Sequence, residues 1–75
     1  MATGMYWATI EADRNRHDAY PPNWRGSKSH CTAKAALREA LPRAREIRDS
    51  GRTGVRVLVR DAIANDAIVR EVRVR

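Results

Sequence analysis

Few residues of this chain have the type and spacing that catalysis or metal binding requires. His30 and Cys31 are adjacent, and His17 lies well upstream. A nucleophilic thiol needs a base within hydrogen-bonding distance, and adjacent side chains at the start of a helix point in different directions. A closed zinc site needs four ligands, commonly spaced Cys or His residues, and this chain has a single cysteine. We therefore expect no catalytic site, no metal site, no cofactor and no enzymatic activity.

Basic residues recur along one face of segment 33–48. At about 100° per helical residue, four of them share one arc beside the apolar stripe: Lys34, Arg38, Arg45 and Arg48. A one-sided basic face suits contact with phosphates, because each cation can replace counterions condensed on a nucleic acid. The alternative is a solvated face held by pairs at the i,i+4 spacing, such as Glu39–Arg43 and Arg45–Asp49.

Basic and aromatic residues are interleaved between residues 13 and 31. This stretch has no hydrophobic periodicity and contains two prolines and a glycine, so it is predicted to be a long loop. Trp24, Arg25 and Lys28 would suit contact with nucleic acid or with an acidic protein surface. The alternative is that Tyr20 and Trp24 fold back to cover a core that contains no Phe.

The remaining candidate surface is the outer face of a predicted sheet, turned away from the helix. It is expected to carry Trp7, Leu58 and Val69 among Arg56 and Arg60. A Trp among arginines could stack on unpaired bases, or could form a protein interface, where Trp and Arg are enriched. In a third interpretation Trp7 turns inward, and the apolar patch shrinks to Leu58 and Val69.

The elements that position these residues are predicted from periodicity and from residues that interrupt it. Alternation predicts a strand over 5–12, with Ile10 facing the core. A helix is predicted from an N-cap at Thr32 to a stop at Ser50-Gly51. Pro42 is expected to kink this helix rather than divide it, because the apolar stripe continues in phase on both sides.

Segment 55–74 predicts a β-hairpin with matching charges. Its turn is placed at Asn65-Asp66, since both residue types tolerate the positive φ that tight hairpin turns require. Facing opposite charges and facing β-branched residues both favour one register. The facing pairs in that register are Asp61 with Arg70, Arg60 with Glu71, Val59 with Val72, Val57 with Val74 and Ile63 with Ile68.

Together these elements predict a two-layer α+β fold of order β-α-β-β, with residues 1–75 forming one small domain. The helix covers one face of a three-stranded sheet that ends in the β-hairpin. The first strand is expected beside the last strand, which leaves 55–61 at an edge of the sheet.

Composition limits the function further. The chain has 75 residues and a net charge of +6, with thirteen arginines among its fifteen basic residues. A domain of this size buries only about 60–65% of its unfolded surface, so a partner subunit would strengthen its thin core. No apolar run reaches the roughly 18 residues of a membrane span. We expect a soluble, cytoplasmic protein without a membrane partner.

Two functions remain open. The first is a small basic binding or regulatory module that acts through protein-protein contacts, with another protein or a second copy of itself as partner. The Arg- and Ala-rich composition would suit an accessory protein of a phage or mobile element, although this is only an association. The second is a nucleic-acid-binding module that uses the basic helix face and the loop.

Overall fold

The fold is a four-stranded antiparallel sheet with one helix on one face. The computed structural model describes residues 5–13, 24–26 and 29–75. Its elements are β1 (Tyr6–Glu11), β2 (Trp24–Arg25), α1 (Ala33–Asp49), β3 (Arg56–Asp61) and β4 (Ala67–Arg73), and the strand order is β2-β1-β3-β4. The predicted α+β class is confirmed. The predicted sheet of three strands is corrected to four, because Trp24–Arg25 pairs with β1.

The helix α1 begins and ends where the sequence predicts. Thr32 is the N-cap, and its Oγ1 accepts a hydrogen bond from the Ala35 N–H at 3.1 Å, an interaction typically worth about 1 kcal/mol. Ser50 is the C-cap, and Gly51 follows with a φ of 102°, which glycine adopts without strain. The helix runs through the exposed Pro42 without a break, so the prediction of a single helix is confirmed.

The core between α1 and the sheet is built from small side chains. Ile10, Val57 and Val59 are the largest fully buried side chains among the described residues. The helix meets them mainly through Ala36, Ala40 and Ala44, each with 0% exposure. Val72 and Val74 are half-buried against this cluster. The predicted inward-facing residues of the strands therefore form the core.

The strand β1 lies beside β3 and not beside β4, which corrects the predicted strand order. Val59 pairs with Ala8 on one side and with Arg70 on the other. Ala8 and Val59 are buried beneath α1, whereas Arg70 is exposed. A central β4 would bury the Arg70 guanidinium under the helix, and an unpaired buried charge is costly. For this reason β3 is central and β4 is an edge strand.

The hairpin turn forms at the predicted residues. Asn65 and Asp66 have φ values of 55° and 59°. The Ala67 N–H donates to the Ala64 carbonyl at 3.0 Å, which closes a two-residue turn with positive φ at both central positions.

A second turn just before it changes the strand register. The Asp61 carboxylate accepts the Ile63 N–H at 3.0 Å, and the Ala64 N–H donates to the Asp61 carbonyl at 3.2 Å. Asp commonly starts turns through this local hydrogen bond. Asp61 is therefore the last residue of β3 and starts the turn, and it faces Ala67 instead of Arg70.

The observed hairpin register replaces all five predicted pairs. The pairs are Arg56 with Arg73, Val57 with Val72, Leu58 with Glu71, Val59 with Arg70, Arg60 with Ile68 and Asp61 with Ala67. The register shifts between Val59 and Arg60, so Val69 is the extra residue of a β-bulge. Between Val57 and Val59 the register differs from the prediction by two residues. A shift of two preserves the face that each side chain occupies, because strand side chains alternate with period two.

Replacing Pro42 with Ala is expected to stabilise the protein, because proline removes a helix hydrogen bond and fits poorly in a helix interior. The free energy of unfolding should rise by about 1–3 kcal/mol, as measured by urea denaturation. Arg45→Ala, at another exposed position of the same helix, is the control and should change stability by less than about 0.5 kcal/mol. A loss of stability in Pro42→Ala would contradict this expectation and would mean that the proline stabilises the helix in which it lies.

Candidate interaction surfaces

The outer sheet face, turned away from α1, carries a network of charged side chains. The Arg56 guanidinium lies 3.3 Å from the Glu11 carboxylate and 3.9 Å from that of Glu71, and the Arg60 guanidinium lies 3.9 Å from Glu11. All four side chains are partly exposed, so each contact is screened by solvent. Leu58 lies between the two arginines along β3 and is only 5% exposed. This predicted interface residue is therefore covered within its own chain.

Trp7 lies on the outer sheet face, as predicted, and two arginines flank its ring. The guanidinium carbon of Arg25 lies 4.3 Å from the ring centre, and that of Arg60 lies 5.9 Å away. The indole N–H donates to the Asp66 carboxylate at 2.8 Å, which ties β1 to the hairpin turn. The nearer cation occupies the position over the ring that a stacked base would need, so stacking there requires Arg25 to move.

The predicted loop residues fall into three places. Trp24 is half-buried against the core, which agrees with the interpretation that it covers the core. Arg25 lies over Trp7. Lys28 and Tyr20 lie outside the described residues. Sequence reasoning grouped Trp24 and Arg25 as one binding patch, but β2 turns them to opposite faces of the sheet, because adjacent strand residues alternate.

The strand β4 is an uncovered edge of the sheet. All of its residues are exposed except Val72, which is half-buried. The Val74 N–H donates to the Val55 carbonyl at 2.9 Å. The alternation of an antiparallel ladder then directs the backbone groups of Val72 toward β3, and those of Glu71 and Arg73 away from the sheet. Outward backbone groups of this kind form a template on which another strand can pair.

Exposed apolar side chains cluster at the hairpin tip, which comprises Ile63, Ile68 and Val69. Their exposures are 69%, 52% and 49%, and they are the exposed large apolar residues of the described chain. Two of them belong to β4 itself, so the apolar surface adjoins the uncovered edge. Of the interface residues predicted from the sequence, only Val69 lies in this region.

The basic flank of α1 comprises Lys34, Arg38, Arg45 and Arg48, and it lies on the side of the helix nearest β4. Arg48 donates to the backbone carbonyl of Arg75, just beyond the end of β4, at 2.8 Å. On the other side of the helix, Glu39 contacts His30 at 3.0 Å. The flank therefore faces the exposed edge of the sheet, and Glu39 is held on the opposite side.

The predicted i,i+4 ion pairs of the helix do not form. Arg43 contacts Glu46 at 2.7 Å, and Asp49 contacts Arg48 at 3.0 Å. Within the described ranges, no carboxylate lies within ion-pairing distance of the other three cations of the basic flank, which are Lys34, Arg38 and Arg45. These cations are exposed and available to an anionic partner.

A cleft of about 500 Å³ continues the basic flank at the end of the sheet. Its charged lining residues are Arg48, Arg52, Arg56, Arg73, Arg75 and Asp13. Arg48 belongs to both surfaces and links them. Sequence reasoning identified the flank but not the cleft, because the cleft arginines come from α1, from the turn after it and from both hairpin strands.

Comparison of the chain with protein-family models, with curated proteins and with solved structures gave no match. Within residues 5–13, 24–26 and 29–75, no helix has both the length and the apolar character needed to cross a membrane. In the same ranges, no group of three or more His, Cys, Asp or Glu side chains could hold a metal ion.

Replacing Arg25 with Met is expected to destabilise the protein, because it keeps the aliphatic stem but removes the guanidinium over Trp7. The free energy of unfolding should fall by about 0.5–1 kcal/mol, the usual size of a cation–π interaction at an exposed site. Arg70→Met, at an exposed arginine of β4, is the matched control for loss of charge. The effect of Arg25→Met should disappear in a Trp7→Leu background. An undiminished effect there would mean that Arg25 acts through another contact.

Proposed function

We propose that this chain is a small basic binding module that acts through protein contacts and associates with a second copy of itself. The observation that supports this most directly is the uncovered edge of β4. The backbone groups of Glu71 and Arg73 point away from the sheet, and pairing with an added strand is a common way to satisfy such groups. Positive charges on an edge strand disfavour pairing with another strand. Arg70 and Arg73 have this effect only in part, because Glu71 lies between them.

The hairpin tip supports the same surface. Ile68 and Val69 are exposed on β4, and Ile63 is exposed in the turn beside them. A partner strand along β4 would cover Val72, which the helix leaves half-buried, and the hairpin tip offers further apolar surface beside that strand. Burial of apolar surface favours association by about 25 cal/mol for each square ångström removed from water.

The contact is proposed at the edge of the sheet rather than across its outer face. Leu58 is buried, and the ring of Trp7 is flanked by Arg25 and Arg60, so neither side chain offers an open apolar surface. A role for Trp7, Leu58, Arg56 and Arg60 in an interface stays a prediction from the sequence.

Nucleic-acid binding is the second candidate function, and one observation favours it. The basic flank and the arginine cleft meet at Arg48 and form a continuous basic track. A helix of 17 residues is about 25 Å long at 1.5 Å per residue, so the track could contact several phosphates. Lys34, Arg38 and Arg45 are its exposed cations.

Association should be measured by sedimentation equilibrium from micromolar to millimolar concentration, at low and at high salt. We expect a dimer that persists at high salt, because backbone pairing and apolar contacts are not screened. Phosphate contacts would behave differently, since log affinity falls with log salt with a slope of about −0.7 to −0.9 for each phosphate contacted. Glu71→Pro should abolish the dimer without unfolding the chain, because the lost N–H points away from the sheet.

Arg38→Ala combined with Arg45→Ala is the matched control on the basic flank. This variant should keep the dimer and should reduce any binding of a fluorescent oligonucleotide. A chain that stays monomeric at every concentration, and that captures only nuclease-sensitive partners from a native lysate, would overturn the proposed function and favour nucleic-acid binding.

A further inference from the structure

We propose that two copies pair antiparallel along β4 about a twofold axis at Val72, so that their four-stranded sheets join into one. The proposal rests on the self-association proposed above, and it specifies the residues that meet. It follows from three properties of β4: the direction of its backbone groups, the face of each side chain and the order of its charges.

The outward backbone groups fit this register. Glu71 and Arg73 both direct their N–H and C=O groups away from β3, as the Val74–Val55 hydrogen bond requires. With the axis at Val72, Glu71 of each copy lies opposite Arg73 of the other. The two copies then form one hydrogen-bonded pair on each side of a central non-hydrogen-bonded pair, Val72 with Val72.

The side-chain faces fit as well. A twofold axis perpendicular to the sheet places both helices on the same face and joins residues that share a face. Val72 pairs with the buried Val57, so it lies on the helix face, and its side chain would meet its symmetry mate there. Glu71 and Arg73 lie on the outer sheet face, where each carboxylate would meet a guanidinium.

The neighbouring centres from Val69 to Arg73 put like charges or the bulge at the centre of the pairing. An axis at Arg70, Glu71 or Arg73 places that residue opposite its own copy, and like charges directly opposite are destabilising. An axis at Val69 centres the pairing on the β-bulge, where the strand bends and the ladder is interrupted. Among the centres from Val69 to Arg73, Val72 keeps a regular ladder and brings opposite charges together.

On the outer sheet face the register also gives charged side chains of the edge opposite partners. Within its own sheet Arg73 faces Arg56, which carries the same charge. In the described part of the chain no carboxylate lies within 4.0 Å of the Arg73 guanidinium, and Glu71 makes only a 3.9 Å contact with Arg56. Pairing of two copies gives Arg73 a carboxylate and gives Glu71 a second cation.

Disulfide cross-linking tests the register directly. Every variant carries Cys31→Ser, because Cys31 is an exposed thiol. Val72→Cys should form a cross-linked dimer under mild oxidation, since the Cα atoms of a non-hydrogen-bonded pair lie about 4.5 Å apart, within disulfide range. Arg70→Cys lies on the same face of the same strand but about 13 Å from its symmetry mate, and it should not cross-link. Equal cross-linking of both variants would overturn the register.

Charge reversal gives an independent test without oxidation. Glu71→Arg and Arg73→Glu each create two like-charge pairs in a symmetric dimer, so each should weaken dimerisation by about tenfold or more. A mixture of the two single variants should form a mixed dimer at least as tight as the wild-type dimer, because every facing pair is then of opposite charge. The double variant Glu71→Arg with Arg73→Glu should likewise recover dimerisation.

The outcomes separate this inference from the proposed function. A wild-type dimer that forms without the Val72→Cys cross-link, and without rescue in the mixture of charge variants, overturns the register and leaves self-association standing. A wild-type chain that is monomeric at every concentration overturns the proposed function, and the register with it.

Discussion

Alanine contacts between α1 and the sheet set the limits of this small fold. Ala36, Ala40 and Ala44 are fully buried, and the helix packs over β1 and β3. A single narrow helix covers about two strands, because helices pack some 10 Å apart and strands are about 4.8 Å apart. The edge strand β4 therefore remains outside the helix layer, and this explains why Arg70 is tolerated on the helix face of the sheet. The exposure of β4 therefore follows from the small size of the core.

The outer sheet face has no second layer among the described residues, and long polar side chains take its place. The aliphatic stems of arginines can cover apolar surface while their charged ends stay in water. The buried Leu58 lies between Arg56 and Arg60 on this face, as this principle predicts. The same principle applies at Trp7, where Arg25 reaches from β2 across the ring. The arginine-rich composition thus has a structural use as well as an electrostatic one. Because some arginines cover apolar side chains or pair with carboxylates, the net charge overstates how many cations remain available to a ligand.

Local signals in the sequence predicted more than long-range ones did. The N-cap at Thr32, the stop at Ser50-Gly51 and the turn at Asn65-Asp66 depend on residues within a few positions of each other. The faces of β1 and of the hairpin between Val57 and Val59 were predictable, because alternation fixes them in any register that differs by an even number; past the β-bulge the difference is three residues, and the prediction does not hold there. The register itself was not, because the Asp61 carboxylate could pair with a cation across the hairpin or accept a local hydrogen bond in the turn, and in the structure it accepts the Ile63 N–H. The contact of Arg25 with Trp7 depends on β2, a strand of two residues that has no periodicity to detect.

The two edges of the sheet are unequal, and this bears on how assembly could end. The described part of β2 offers two residues, whereas β4 offers seven. A sheet with long edges on both sides can add copies without limit and grow into a filament, since each addition exposes a new edge. In the proposed dimer the contact through β4 uses the same strand in both copies, so β4 keeps no free edge on which a third copy could pair. In the proposed dimer, growth through β4 would therefore stop at two copies.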